Sequence, residues 1–229
     1  MKTKILLTAL AACTALSTVS AAAATLQVDY DAVGGPTQAD FTSWDPPHAD
    51  NTGLNQTGSF TYSGATDGSV EVTLTSSSDT YERNFGAVSG GAFVGQSNLL
   101  KDIVFFNQGN SGTNFIQVVL NDLKAGDYTF TGYHHSTGTL NSLATVNIFL
   151  NGADTGDDAT QTQGVAPASI GTSVVNFTVA NDDDVVTIRY QDPSNRHFGL
   201  NGFEIVPEPS SLALLVIGGL CVLRRRRGA

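Results

Sequence analysis

Cysteine is nearly missing from this chain: 229 residues hold two, Cys13 and Cys221. Both fall in the terminal stretches, so the segment between them has no disulfide and must rely on packing or bound ions. Positive charge is equally scarce. Between Thr25 and Val206 the cations are Arg83, Lys101, Lys124, Arg189 and Arg196, five against twenty acidic residues, for a net charge of −15. Such a body repels nucleic acid and anionic membrane surfaces, while divalent cations and neutral sugars stay eligible as partners. Catalytic signatures are lacking too: no Gly-x-Ser-x-Gly elbow, no His-Glu-x-x-His, no phosphate-cradling loop and no cysteine nucleophile in the body. The acidic pair Asp157 and Asp158 could do acid/base work on a glycosidic bond. It reads as part of a polar Gly-rich loop, where nothing apolar raises a carboxyl pKa. The chain is therefore expected not to be an enzyme.

What is present is addressed at both ends. Lys2 and Lys4 precede an apolar run from Ile5 to Ala12, followed by small residues from Ser20 to Ala24. This is the order of a secretory signal peptide, a helix over residues 1–24 cleaved after Ala22 or Ala24. Leu10-Ala11-Ala12-Cys13 also fits a lipoprotein cleavage box, which leaves lipidation at Cys13 as the alternative. The other end reads Val206-Pro207-Glu208-Pro209-Ser210-Ser211, then the apolar run Leu212 to Leu223, then Arg224, Arg225, Arg226 and Arg227. The prolines bias their neighbours away from helix, so the Pro-Glu-Pro motif is expected to stay extended and accessible. As a helix the apolar run rises roughly 18 Å, against about 30 Å of hydrocarbon. Gly218 and Gly219 weaken it further. It suits transient membrane association better than a permanent transmembrane anchor, and the arginines hold its end on the cytoplasmic side. Everything before Pro207 then lies outside the cytoplasm.

Val206-Pro207-Glu208-Pro209, an apolar stretch and a terminal arginine cluster together resemble the PEP-CTERM sorting signal of Gram-negative bacteria. The resemblance implies an exosortase-type sorting peptidase as partner. It also implies a protein tethered to the inner membrane before processing and then placed at the cell surface or in the extracellular matrix, associated with extracellular polysaccharide.

The body, residues 25–206, shows no convincing helix. Short runs of β-branched and aromatic residues alternate with period two between Gly, Asn, Asp and Ser clusters. Expected strands are Leu26–Tyr30, Ser59–Ser63, Ser69–Ser76, Thr80–Arg83, Asp102–Phe106, Asn114–Asn121, Gly126–His134, Ala144–Leu150, Ser173–Ala180, Asp184–Gln191 and Gly199–Val206. Val70, Val72 and Leu74 alternate with Glu71, Thr73 and Thr75, as in a strand wet on one face. Asn151-Gly152 is favourable turn chemistry. The fold class expected is all-β: an antiparallel two-sheet sandwich or jelly roll between a signal helix and a short C-terminal hydrophobic helix. Ile116 to Leu120 followed by Leu123 to Phe130 resembles the central hairpin of galactose-binding-like jelly rolls. Val146 to Gly152 and Leu200 to Ile205 fit the same pattern. Malectin-like domains and family 6 or 35 carbohydrate-binding modules share that fold, which implies scaffold rather than function.

Candidate site residues follow from chemistry. Trp44, the only tryptophan, stands in the stiff stretch Trp44-Asp45-Pro46-Pro47-His48. It could stack on a pyranose ring while Asp45 and His48 bond hydroxyls, or it could plug the end of the sandwich. Exposure beside a groove would favour sugar binding, and burial a structural or adhesive matrix protein without a small-ligand site. His134 and His135 end a strand, and strand geometry sends them to opposite faces. Arg83 and Arg196 are scarce cations that could meet a ligand or hold a carboxylate partner. Asp154, Asp157 and Asp158 are candidate calcium ligands, since calcium takes six to eight oxygens. Asp182, Asp183 and Asp184 form a second acidic cluster, in the place of an ordinary turn.

Overall fold

A computed structural model of the chain describes residues 24–31, 36–46, 52–77, 80–106, 114–193 and 196–208. The signal segment before residue 24, Cys13, His48, Pro209 and the tail through Arg224–Arg227 lie outside the described residues. Among the described residues no helix is long and apolar enough to cross a membrane.

Two large sheets make up the body. One has six strands, all antiparallel to their neighbours, in the spatial order β10 (Ala153–Thr160), β9 (Thr145–Leu150), β13 (Val186–Asp192), β7 (Asn114–Asn121), β4 (Ser69–Ser76), β3 (Asn55–Thr61). The other is centred on β8 (Gly126–Ser136). On one side β8 pairs with β12 (Gly171–Val179) and, at its end, with the two-residue β11 (Thr162–Gln163). On its other side come β15 (Gly202–Pro207), β1 (Leu26–Tyr30) and the short parallel β2 (Thr42–Trp44). A third sheet of three short strands, β14 (Phe198–Leu200), β6 (Asp102–Phe106) and β5 (Thr80–Asn84), adds to the sandwich. Among the described residues, helix is confined to a 3₁₀ turn at Val94–Gln96 and α1 at Ser97–Lys101.

The period-two pattern explains the core. Ile116, Val118 and Leu120 of β7, Ile188 and Tyr190 of β13, Val146 and Ile148 of β9, and Val70, Val72 and Leu74 of β4 are all buried on one face of the six-stranded sheet. Phe130 and Phe203 face them from the other sheet, stacked at 5.3 Å between ring centroids. Outward positions on the same strands carry mostly Thr, Gln, Asn and Arg, with Phe115, Val119, Phe149 and Glu71 among them. Each buried aromatic removes 150–250 Å² from water, so rings dominate the burial.

The all-β sandwich expected from the sequence is the fold observed, with differences that have local causes. Three strands carry no apolar alternation and were not expected: β2, β10 and β11. β10 reads Ala-Asp-Thr-Gly-Asp-Asp-Ala-Thr and is exposed at all but one position. It lies at the sheet edge, where charge discourages pairing with another chain. The expected Gly-rich loop around Asp157 is therefore a strand. Its hairpin with β9 turns at Asn151 and Gly152, which take φ of 49° and 81°. The expected strand over Gly199–Val206 is broken at Asn201, so that β14 and β15 join different sheets. The segment compared to a central hairpin is not one. β7 and β8 belong to different sheets, and the chain between them arches over the end of the sandwich.

Candidate functional site

The outward face of the six-stranded sheet gathers groups that the linear sequence scatters. Register places Gln117 beside Arg189, Arg189 beside Phe149, and Phe149 beside Asp154 in one row across four strands. A second row runs Phe115, Gln191, Asn147, Asp158. Directly opposed residues share a face, so Asp154 and Asp158 edge the surface that Arg189 centres. The Arg189 guanidinium carbon lies 3.9 Å from the Phe115 ring centroid, a cation–π contact. Its Nε has no hydrogen-bond partner, and partial burial lowers its pKa. An open groove of about 430 Å³ runs here, lined by Gln117, Asn151, Gly152, Val185, Thr187 and Arg189. Val185 is 55% exposed, an apolar step on the groove wall. Apolar faces beside planar donors are what a pyranose needs: ring carbons pack on the first, and hydroxyls bond the second.

The residues singled out from the sequence are dispersed. Trp44 is buried at 8% exposure, packed against Tyr30 and Phe60 with ring centroids 5.4 Å away in each case. It plugs the core between the sheets and offers no platform. Asp45 beside it is exposed. Arg83 lies on β5, over the Tyr81 ring at 5.2 Å and bonded through Nη1 to the Glu82 carbonyl. Arg196 donates its backbone N–H to the Asp192 carboxylate. Asp154 accepts from the Gly156 N–H at 2.9 Å, a local turn bond. Among the described residues no three His, Cys, Asp or Glu side chains form a metal-binding group, so Asp154, Asp157 and Asp158 are not assembled as a calcium site. Asp182 and Asp183 accept from the Ala125 N–H and the Thr66 hydroxyl, tying their turn to two other loops, while Asp184 accepts from the Asn181 N–H within the turn itself.

His134 and His135 do face opposite ways, and both are fully buried. His135 bonds Thr162 Oγ1 and the Gly164 carbonyl at 2.9 Å each. His134 bonds the Gly199 carbonyl through Nδ1 at 3.0 Å and Ser173 Oγ through Nε2 at 2.8 Å. Burial lowers the His134 pKa to about 4. Neither imidazole can reach a ligand.

A buried acidic cluster escaped the sequence reading. Asp29, Asp31 and Asp102 are at most 2% exposed, with Lys101 Nζ 3.6 Å from Asp102 Oδ2. Asp29 Oδ1, Asp31 Oδ1 and both Asp102 oxygens lack hydrogen-bond partners. Burial raises Asp29 to about 6, with the Asp31 charge adding to it, and raises Asp102 to about 7, with the Asp31 and Asp29 charges adding to it. Oxygen donors of this kind suit a hard cation, but they are not drawn to metal-ligand spacing. Only the Asp-x-Asp of Asp29 and Asp31 on a strand whose alternate residues are core could have signalled it.

At the C-terminal end, Pro207 is the last residue of β15, opposite Tyr128 of β8. Glu208 follows, exposed but tied back: its N–H donates to the Asp127 carbonyl at 2.8 Å and its carboxylate accepts from Thr129 Oγ1 at 3.1 Å.

Residues 206–227 match the PEP-CTERM protein-sorting motif. No curated protein matches the chain. Among solved structures the chain is similar to a family 35 carbohydrate-binding module from Clostridium thermocellum, at 10% identity over 66% of this chain and 97% of that one, TM-score 0.38. It is also similar to Xyl-CBM35, solved with a glucuronic acid containing disaccharide, at 13% identity over 58% and 91%, TM-score 0.33. A third likeness is to the GH26-CBM35 β-(1,4)-mannanase of Podospora anserina, at 15% identity over 57% and 27%, TM-score 0.35.

Proposed function

We propose that this exported protein is non-enzymatic, is held at the membrane until an exosortase-type peptidase processes its tail, and then binds extracellular polysaccharide through the outer face of its six-stranded sheet. The sorting motif at residues 206–227 carries the address. The binding half rests on one observation: Arg189, a cation with an unpartnered Nε in a strongly acidic body, lies over Phe115 in a groove lined by amide and hydroxyl groups. A groove of that volume falls within the ~300–1,000 Å³ usual for small-ligand sites, and it is open to solvent.

Affinity electrophoresis of the protein through gels containing polysaccharide from its native host tests this, with and without calcium. Retardation by at least one polysaccharide, abolished in Arg189→Ala, is the expected result. Retardation unchanged in Arg189→Ala overturns the site. A second reading, a structural or adhesive matrix protein without a small-ligand site, is favoured by the burial of Trp44. It predicts no retardation by any polysaccharide.

A further inference from the structure

The two ends of the body leave it side by side. β1 and β15 are antiparallel neighbours, with Leu26 opposite Ile205. Residues 24 and 25 therefore run on toward the same pole as Val206, Pro207 and Glu208. A signal peptide cut after Ala22 or Ala24 departs from that pole, and so does the sorting tail. Only Glu208, Pro209, Ser210 and Ser211 separate β15 from the apolar run at Leu212. Four residues reach at most about 14 Å, so a membrane peptidase must meet the motif with the folded domain directly above it.

The motif is not free at that point. Peptidases and other peptide receptors take extended segments by their backbone edges, and one edge of this segment is already occupied. Val206 and Pro207 pair with Thr129 and Tyr128 of β8, and the Glu208 N–H is spent on the Asp127 carbonyl. The Glu208 carboxylate, the one charge of the Pro-Glu-Pro motif, accepts from Thr129 Oγ1. That hydroxyl also lies 3.0 Å from the side-chain amide of Asn176. The amide presents its Oδ1 to that hydroxyl, so the one hydroxyl proton is shared between Asn176 Oδ1 and the Glu208 carboxylate.

We propose that Asp127 and Thr129 are positioning residues for sorting: they latch Pro207 and Glu208 onto β8, and the tail is presented to the peptidase only when the end of β15 lifts. The latch closes only when β8 and β15 are paired, so it reports a folded domain. This rests on the sorting reading above, and two measurements keep the two apart. The first needs no peptidase. In the purified full chain in detergent micelles, hydrogen exchange at the Glu208 amide is slowed relative to an unstructured segment. Thr129→Val, which keeps the β-branched shape, speeds it about threefold, as loss of one exposed hydrogen bond does. A Glu208 amide exchanging at the unstructured rate in the wild type overturns the latch.

The second measurement is the rate of tail loss in the native host, followed by intact mass. It compares wild type, Thr129→Val and a variant with eight Gly and Ser residues inserted after Val206, which carries an unaltered motif clear of the sheet. Both variants are expected to lose the tail several-fold faster. Unchanged rates, or slower processing of the insertion variant, overturn the gating. If no variant loses the tail, the sorting reading fails with it, and the latch stands or falls on the exchange rates alone.

Discussion

Ser173 Oγ lies 2.8 Å from Nε2 of His134 and 2.7 Å from the Tyr190 hydroxyl, with all three side chains buried. The protons in this chain can be placed by elimination. The Gly199 carbonyl only accepts, so His134 Nδ1 carries the hydrogen and Nε2 is the acceptor. Ser173 therefore donates to Nε2, which leaves its oxygen to accept from Tyr190. A serine beside a histidine suggests a nucleophile. Here no ligand can reach the pair, and its role is to satisfy polar groups between the sheets.

This arrangement predicts a neutral imidazole across the physiological range. The folded His134 pKa of about 4 is below the ordinary 6.5. The unfolded chain binds the proton first, so the His134 contribution to stability is complete above pH 6.5 and is lost as pH falls toward 4. The NMR shift of its Cε1 proton should stay flat from pH 8 to pH 5. A midpoint near 6.5 contradicts the buried chain of bonds.

Gly132 makes room for the same cluster. A Cβ there would sit 2.6 Å from the Tyr190 hydroxyl oxygen and 2.8 Å from Ser173 Oγ. Gly132→Ala should destabilise the fold by about 1–3 kcal/mol, the usual cost of overpacking. Urea unfolding would show a lower midpoint at unchanged slope.

The acidic cluster reverses the usual pH trend. Asp29 at about 6 and Asp102 at about 7 lie above the ordinary 3.8. Between those values the folded chain holds protons that the unfolded chain has released, so stability from these groups falls as pH rises through 4 to 7. Asp29→Asn should raise Tm by about 5 °C at pH 8 and change it little at pH 4. Equal Tm shifts for Asp29→Asn at both pH values would contradict this.

Stability and binding should separate at Trp44 and Arg189. Trp44→Ala empties a packed site and should cost about 3–5 kcal/mol, with affinity for polysaccharide retained at temperatures where the domain stays folded. Arg189→Ala should do the opposite, leaving Tm within about 2 °C, as surface changes usually do. Paired melting curves and affinity gels give both readouts.

The address and the fold class are legible in the order of the residues alone. Both are local properties: the order of proline, apolar run and arginines needs no tertiary context, and period-two alternation marks strands wherever one face is buried. Even the opposite facing of His134 and His135 follows from the pleat. The sequence did not show β10, because an edge strand with one buried residue carries no alternation. Nor did it show the row Gln117, Arg189, Phe149, Asp154, which exists only because register aligns four strands. Burial of Trp44, of His134 and of Asp29 was decided by what covers each of them, and covering is a relation between distant segments. The hold of Thr129 on Glu208 is of the same kind, because those residues meet only when β15 pairs with β8.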